Sequence, residues 1–248
     1  MALDKSRMKM IAQMQRENES YLKEGAGSPD RDRSGSVSNN LAHLLRFVGV
    51  ADYVVDGNVD SFKANLVDSV TLIARMFERF EDGEPIDRSY VSMLAYTHLF
   101  DALAVGNADL TQRLANLLGG RSEIEAEFDH RFDLCFGYVL KAFAVQDDGL
   151  VSEWLPKFRT VCNEKDNANF VGYMRMFDGI AARSLEVAQD GLDEITSKHK
   201  AESRGSGIFR DSADEFLCVW GIGMARLARL RGLSVGSNSP LVPAELLE

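Results

Sequence analysis

Apolar residues recur at every third or fourth position along most of the chain, which is the spacing of one face of an α-helix. Alternating runs of β-branched residues, which are typical of strands, are missing. We therefore expect an all-α protein, with later helices at about 150–163, 168–189, 191–200 and 212–231. The clearest apolar stripes are Leu41-Leu44-Leu45-Val48, Phe62-Leu66-Val70-Ile73-Phe77 and Phe128-Phe132-Phe136-Leu140-Phe143.

Short polar segments interrupt this pattern at intervals of roughly 40–50 residues, which is close to the period of stacked helix-pair repeats. Their Gly, Asn and Asp residues favour helix caps, and each segment is short enough to join two antiparallel helices. The consensus of tetratricopeptide or HEAT repeats is not evident. We predict an irregular array of antiparallel helical hairpins, a repeat-like right-handed α bundle, with an ordinary irregular α bundle as the alternative. The four segments are 56–60, 106–109, 146–150 and 189–193.

Near the N-terminus, glycine, proline and serine cluster in the sequence GAGSPDRDRSGS at positions 25–36. Such residues break helices and are common in connections. We predict an amphipathic helix within residues 1–24, a linker over 25–37 and one helical domain over 38–248. The sequence leaves open whether the first helix docks on its own body or on a partner.

Three cysteines, Cys135, Cys162 and Cys218, lie far apart among apolar neighbours. They are expected to be buried free thiols, and no close C-x2-C pair is present to hold zinc. The N-terminus lacks a secretory signal pattern, and no apolar run approaches the ~20 residues of a membrane span. A reducing, cytoplasmic location and no membrane association are therefore expected.

The net charge of −10 lies almost entirely beyond residue 40, because the first forty residues nearly balance. An acidic body argues against nucleic acid and anionic membranes as ligands. It favours a basic protein partner, since complementary potentials speed encounter and set specificity. The alternative is that this moderate charge serves only solubility.

No catalytic, cofactor or metal-binding pattern stands out. The four histidines, His43, His98, His130 and His199, show no H-E-x-x-H spacing, and neither a Walker loop nor a nucleophile elbow is present. We therefore predict a protein that is not an enzyme and has no cofactor and no metal. An enzyme with an unrecognised helical site stays an alternative, which titratable groups with perturbed pKa values in a deep pocket would favour.

Acidic residues gather in three stretches, and these are the candidate partner contacts. Carboxylates in a first helical turn also favour the helix dipole, which is the structural alternative. The candidates are Glu123, Glu125, Glu127, Asp129 and Asp133 in the first stretch, Glu186, Asp190, Asp193 and Glu194 in the second, and Asp211, Asp214 and Glu215 at the expected start of the last helix.

The C-terminal sequence DEFLCVWGIGMARLARLRGLSVGSNSPLVPAELL runs from an apolar helix through a glycine turn to a Pro-x-x-Leu-Leu end. This tail, about 35 residues long, resembles the helical immunity proteins of bacterial polymorphic toxin systems, notably the immunity protein 49 family. The immunity proteins of PoNe-type DNase toxins look similar there. The remainder resembles them only in being successive helices with acid-rich turns.

The resemblance implies a cytoplasmic protein that binds and neutralises a cognate toxin, itself basic, by covering its active site or locking its shape. Tight inhibition rests on a few aromatic or charged anchors, for which Trp154 and Tyr173 join the acidic candidates. The alternative is a helical-repeat adaptor or chaperone. The sequence does not decide between a monomer and a homodimer.

Overall fold

The computed structural model describes residues 4–248, which form eleven α-helices and contain no β-strand. The prediction of an all-α protein is therefore confirmed. Short 3-10 turns lie at Arg88–Val91, Met93–Ala95, Lys165–Phe170, Ala213–Glu215 and Ala244–Leu246. The helices are α1 (Lys5–Gly25), α2 (Ser36–Asp56), α3 (Val59–Glu81), α4 (Tyr96–Ala104), α5 (Ala108–Leu117), α6 (Ser122–Phe128), α7 (Arg131–Ala144), α8 (Asp148–Cys162), α9 (Val171–Ala181), α10 (Leu185–Glu202) and α11 (Val219–Leu230).

Most helices pack on their neighbours in sequence: α1 on α2, α2 on α3, α7 on α8 and α9 on α10. Three of the four predicted turns join such helices. Gly57 ends α2 in the left-handed conformation, with φ of 69°. The side chains of Asn58, Asn107 and Asp147 cap the helices that follow, accepting hydrogen bonds of 2.9–3.0 Å from backbone N–H groups.

The fourth predicted turn, at 189–193, is wrong, because these residues lie inside α10. The chain turns instead at Arg183 and Ser184, between α9 and α10. Gly191 packs directly against the backbone of α9, and a Cβ atom there would lie 2.6 Å from Met176 N. The glycine allows close approach of two helices rather than a turn.

The centre of the molecule is an aromatic cluster from helices far apart in sequence. Phe100 of α4 stacks on Trp220 of α11, with ring centroids 5.1 Å apart, and Phe136 of α7 lies edge-on to Trp220 at 5.9 Å. A Cβ atom on Gly223 would lie 2.8 Å from the Phe100 carbonyl oxygen, which explains how α11 approaches α4 so closely. All three cysteines are free and buried, as predicted.

The segment between α1 and α2 is tied down by one carboxylate. Asp32 is fully buried and accepts hydrogen bonds from the backbone N–H groups of Gly27, Val37 and Ser38, at 2.9–3.1 Å. Arg79 of α3 donates to the same carboxylate at 2.7 Å. Since Met8 of α1 is also buried, α1 is held against the rest of the fold at both ends.

The C-terminal segment folds back over α11. Leu246 and Leu247 are buried, and Arg226 and Arg229 donate hydrogen bonds to their carbonyl oxygens. Tyr53 of α2 donates to the Glu245 carboxylate at 2.6 Å. The Pro-x-x-Leu-Leu end is thus part of the packed structure. None of the helices within residues 4–248 is long and apolar enough to cross a membrane.

At the interface between α9 and α10, a Cβ atom on Gly179 would lie 2.3 Å from Ala188 N. We therefore expect a larger side chain at this position to lower the stability of the fold. Gly179→Ala is expected to destabilise the fold by about 1–3 kcal/mol, because the clash with backbone outweighs the better helix propensity of alanine. Urea unfolding measures the change. Gly236→Ala, which enters open space, is the control and should stay within about 0.5 kcal/mol of wild type. Equal unfolding midpoints for both variants would contradict this packing.

Asp32→Asn is expected to destabilise the fold by about 1–3 kcal/mol at pH 7, because charge-assisted hydrogen bonds become neutral ones. Burial alone would raise the pKa of Asp32, but the hydrogen bonds from Ser38, Gly27 and Arg79 lower it below its ordinary value of 3.8. The carboxylate therefore stabilises the fold fully above pH 3.8 and loses this effect as the pH falls through the folded-state pKa. The unfolding free energies of the two proteins should approach each other as the pH falls below 3.8 and converge below the folded-state pKa of Asp32; a gap that does not narrow over this range would argue against this role.

Candidate functional site

A cleft of about 580 Å³ lies where α2, α4 and α7 meet the segments around Phe170 and Phe209. Aromatic rings make up much of its wall, and polar groups line its interior. The aromatic residues are Tyr96, Phe132, Phe170, Phe209 and Trp220.

One side of the cleft is built on Arg46, a charged residue within the apolar stripe of α2. Its Nε lies 2.9–3.0 Å from both oxygens of Asp101, which is fully buried in α4. Its two Nη atoms bond both oxygens of Asp214, at 2.7 and 2.8 Å. Burial would raise the pKa of Asp101, but Arg46 and His98 lower it, so the carboxylate is ionised. The guanidinium thus connects α2, α4 and the 213–215 turn.

His98 belongs to the same cluster and reaches the cleft. Its Nδ1 lies 3.3 Å from an oxygen of Asp101, and its side chain is 7% exposed. Within residues 4–248, its Nε2 has no hydrogen-bond partner. The His43 ring lies 5.4 Å away, and partial burial, together with His98 and Arg46, lowers the pKa of His43 to about 4. His43 is therefore uncharged near neutral pH.

Three more carboxylates line the cleft. Asp133 accepts a hydrogen bond from the Tyr96 hydroxyl at 3.1 Å, and burial raises its pKa. Glu202 accepts from the Asn169 amide at 2.6 Å, whereas Asp166 is exposed. No lysine of the described part of the chain lines the cleft. Since Arg46 is already balanced by two carboxylates, the interior carries uncompensated negative charge.

The mouth of the cleft is apolar. Leu94 and Ile208 line it and are 48% and 55% exposed. A second concavity of about 570 Å³, which we call the outer groove, runs between α1 and α2 and shares His43 with the cleft. Phe47 lines the outer groove, as does Tyr21, which is 65% exposed. The cleft and the outer groove therefore adjoin at His43, and each is lined in part by exposed apolar residues.

The residues of the first acidic stretch have four different environments. Glu125 is buried and accepts a hydrogen bond from the Tyr138 hydroxyl at 3.0 Å. Asp129 accepts from the backbone N–H groups at positions 93 and 94, at 2.9 and 3.0 Å, so it fixes the loop that carries Leu94. Glu123 and Glu127 are exposed on α6. Of this stretch, only Asp133 lines the cleft.

The second acidic stretch lies on α10, at least two helical turns from Glu202 at the cleft end of that helix. Glu186, Asp190 and Asp193 are exposed there, and Glu194 pairs with Arg175 at 3.1 Å. The structure does not bring this stretch to the cleft.

The two aromatic candidates differ in exposure. Trp154 is half-buried, stacks on Tyr138 at 4.1 Å and lies under the ammonium group of Lys157. Tyr173 is 3% exposed and packs in the aromatic cluster beside Phe136. The expectation that Tyr173 contacts a partner is therefore corrected, since its side chain offers no surface.

Four residues shape the cleft most strongly: Arg46, His98, Asp101 and Asp214. Only Asp214 is among the sequence-based candidates, as a member of the third acidic stretch, and the structure pairs it with Arg46. A signal was present, since Arg46 and Asp101 occupy apolar helical segments, where a charge requires a buried partner. The partners of Arg46, which are Asp101 and Asp214, lie 55 and 168 positions away in sequence, so that only the fold shows the pairing.

Within residues 4–248, no group of three His, Cys, Asp or Glu side chains is placed to hold a metal ion. Comparison of the chain with family models, curated proteins and solved structures gives no match. The functional interpretation therefore rests on the geometry and charge of the cleft.

Arg46→Met is expected to destabilise the fold by about 3–5 kcal/mol, because it leaves two buried carboxylates without their cation. Chemical denaturation at pH 7 measures the loss. The control is Arg131→Met, which removes an exposed pair with Glu164 and should cost at most about 1 kcal/mol. Similar losses for both variants would show that the cluster does not hold the cleft wall.

Proposed function

We propose that this chain is an immunity-type protein that acts in the cytoplasm. It binds and neutralises a cognate bacterial protein toxin by stoichiometric, non-catalytic inhibition. The observation that carries the proposal is the cleft, which is lined by carboxylates without a counter-charge and by the exposed apolar side chains of Leu94 and Ile208, and which adjoins the outer groove at His43.

A protein partner fits this surface better than a small molecule does. Large apolar side chains are exposed at both concavities: Leu94 and Ile208 at the cleft, and Tyr21 at the outer groove. Protein interfaces commonly combine such apolar contacts with a polar surround, and a few central residues dominate the binding energy. The buried free thiols support a reducing compartment.

The charge of the site favours a basic partner. The chain carries a net charge of −10, and the cleft contains carboxylates without a balancing cation. Such a potential accelerates association with a positively charged surface and disfavours acidic competitors. Basic toxins, such as those that act on nucleic acids, match this requirement.

An enzymatic role is the second candidate, because Asp101 orients His98 in the same cleft where the pKa of Asp133 is raised. The two functions differ in stoichiometry. A binder neutralises toxin only in proportion to its own amount, whereas an enzyme acts at a small fraction of the toxin concentration.

The test is titration of the toxin encoded beside this gene with the purified chain, followed by measurement of residual toxin activity. We expect a break at equimolar protein and rescue of a sensitive host on co-expression. Leu94→Glu and Ile208→Glu are each expected to weaken binding about 10-fold or more, since a charge replaces an apolar contact. Leu185→Glu is the matched control, because Leu185 is also 48% exposed but begins α10.

Inhibition at far below equimolar amounts would favour the enzyme. A stable complex with a protein that has no toxic activity would favour the adaptor or chaperone alternative. Equal affinities of the mouth variants and the Leu185 control would place the contact surface elsewhere.

A further inference from the structure

We propose that the cleft receives one cationic side chain, a lysine or an arginine, from the partner protein and that this side chain is the anchor of the complex. This inference rests on the proposed function, since it names the chemistry that the same site recognises. It is carried by three features of one cavity: carboxylates without a counter-charge, a buried histidine side chain without a hydrogen-bond partner, and aromatic walls.

The first observation is the charge that the fold leaves without a partner. Arg46 is the only Lys or Arg side chain among the described residues that line the cleft, and Asp101 and Asp214 already balance its charge. Asp133 receives only the neutral hydroxyl of Tyr96, and Asp166 has no ion pair within residues 4–248. A positively charged side chain entering the cleft would supply the missing counter-charge.

The second observation concerns His98, which is 5% exposed and lines the cleft. Nδ1 lies 3.3 Å from an Asp101 oxygen without forming a hydrogen bond, and in the tautomer that carries the ring proton at Nδ1 the Nε2 atom is an acceptor. Nε2 receives no hydrogen bond within the described part of the chain and can accept one in that tautomer. Ammonium and guanidinium groups carry N–H donors only, which suits a site that offers acceptors.

The third observation is the aromatic wall. Phe132 and Phe170 lie with ring centroids 4.9 Å apart, and Phe209 meets Trp220 edge-on at 5.2 Å. Aromatic faces attract cations and also cover the apolar stem of a long basic side chain. An anionic ligand gains nothing from these groups and is repelled by the carboxylates.

The cleft itself can be tested without the toxin. The probes are acetyl-Gly-Arg-Gly-amide and its citrulline analogue, which keeps the shape but lacks the charge, added to the full chain. We expect saturable NMR shifts of the Trp220 indole signal with an arginine-peptide affinity on the order of 1 mM. The citrulline peptide should bind at least about 10-fold more weakly. Equal binding of both peptides, or of neither, would overturn the cation site.

The anchor in the complex is tested with the double variant Asp133→Asn, Asp166→Asn. Asparagine still accepts the Tyr96 hydrogen bond, and the buried charge at position 133 is lost, so the variant should fold as stably as wild type. Its affinity for the toxin is expected to fall about 10-fold to 100-fold, with a weaker dependence on salt. The control, Asp82→Asn with Asp109→Asn, removes the same charge from exposed sites that line neither the cleft nor the outer groove.

If toxin affinity falls equally in both double variants, the overall negative charge of the protein explains binding, and the proposal of a cationic side chain in the cleft is wrong. If the arginine peptide binds but no toxin is neutralised, the cation site stands and the proposed function fails. If the toxin is neutralised and the Asp133→Asn, Asp166→Asn variant binds it like wild type, the proposed function holds and the proposed cationic anchor is wrong.

Discussion

The double pairing of Arg46 with Asp101 and Asp214 is the interaction on which the site depends. Three charged groups are taken out of water together, and each would be strongly unfavourable there alone. Their hydrogen bonds are satisfied only when α2, α4 and the 213–215 turn stand in one relative position. That requirement fixes one wall of the cleft and orients His98 through Asp101. The wall is therefore preorganised before any partner arrives, which lowers the entropic cost of binding.

The same pairing explains why the cleft is acidic in character rather than neutral. The charge of Arg46 is already balanced by Asp101 and Asp214. Asp133 and Asp166 therefore line the cavity without a cation of their own. Burial raises the pKa of Asp133, which reflects the cost of keeping that charge out of water. Structural stability and binding preference thus arise from one distribution of charge. The basic partner that we propose would relieve a cost that the fold itself imposes.

The outer groove depends on a separate buried carboxylate. Asp32 joins the segment before α2 to Arg79 of α3, and buried Met8 holds α1 against the body. Because α1 forms one side of the groove, a surface that extends the cleft exists only while α1 stays docked. At the other end of the chain, Arg226 and Arg229 hold the final residues through their carbonyl oxygens. Both terminal segments therefore belong to the packed structure.

The sequence by itself determined the helical class, three of the four predicted turns and the free, buried cysteines, because helix periodicity and capping are local properties. It misplaced the turn at 189–193, since a glycine that permits close helix packing looks like a glycine that ends a helix. Only the tertiary structure decided which charges meet. Arg46 and Asp214 are 168 positions apart, and their pairing depends on how distant helices pack. Tyr173 was offered as a contact residue but is buried, because local sequence does not reveal which aromatic side chain faces the core.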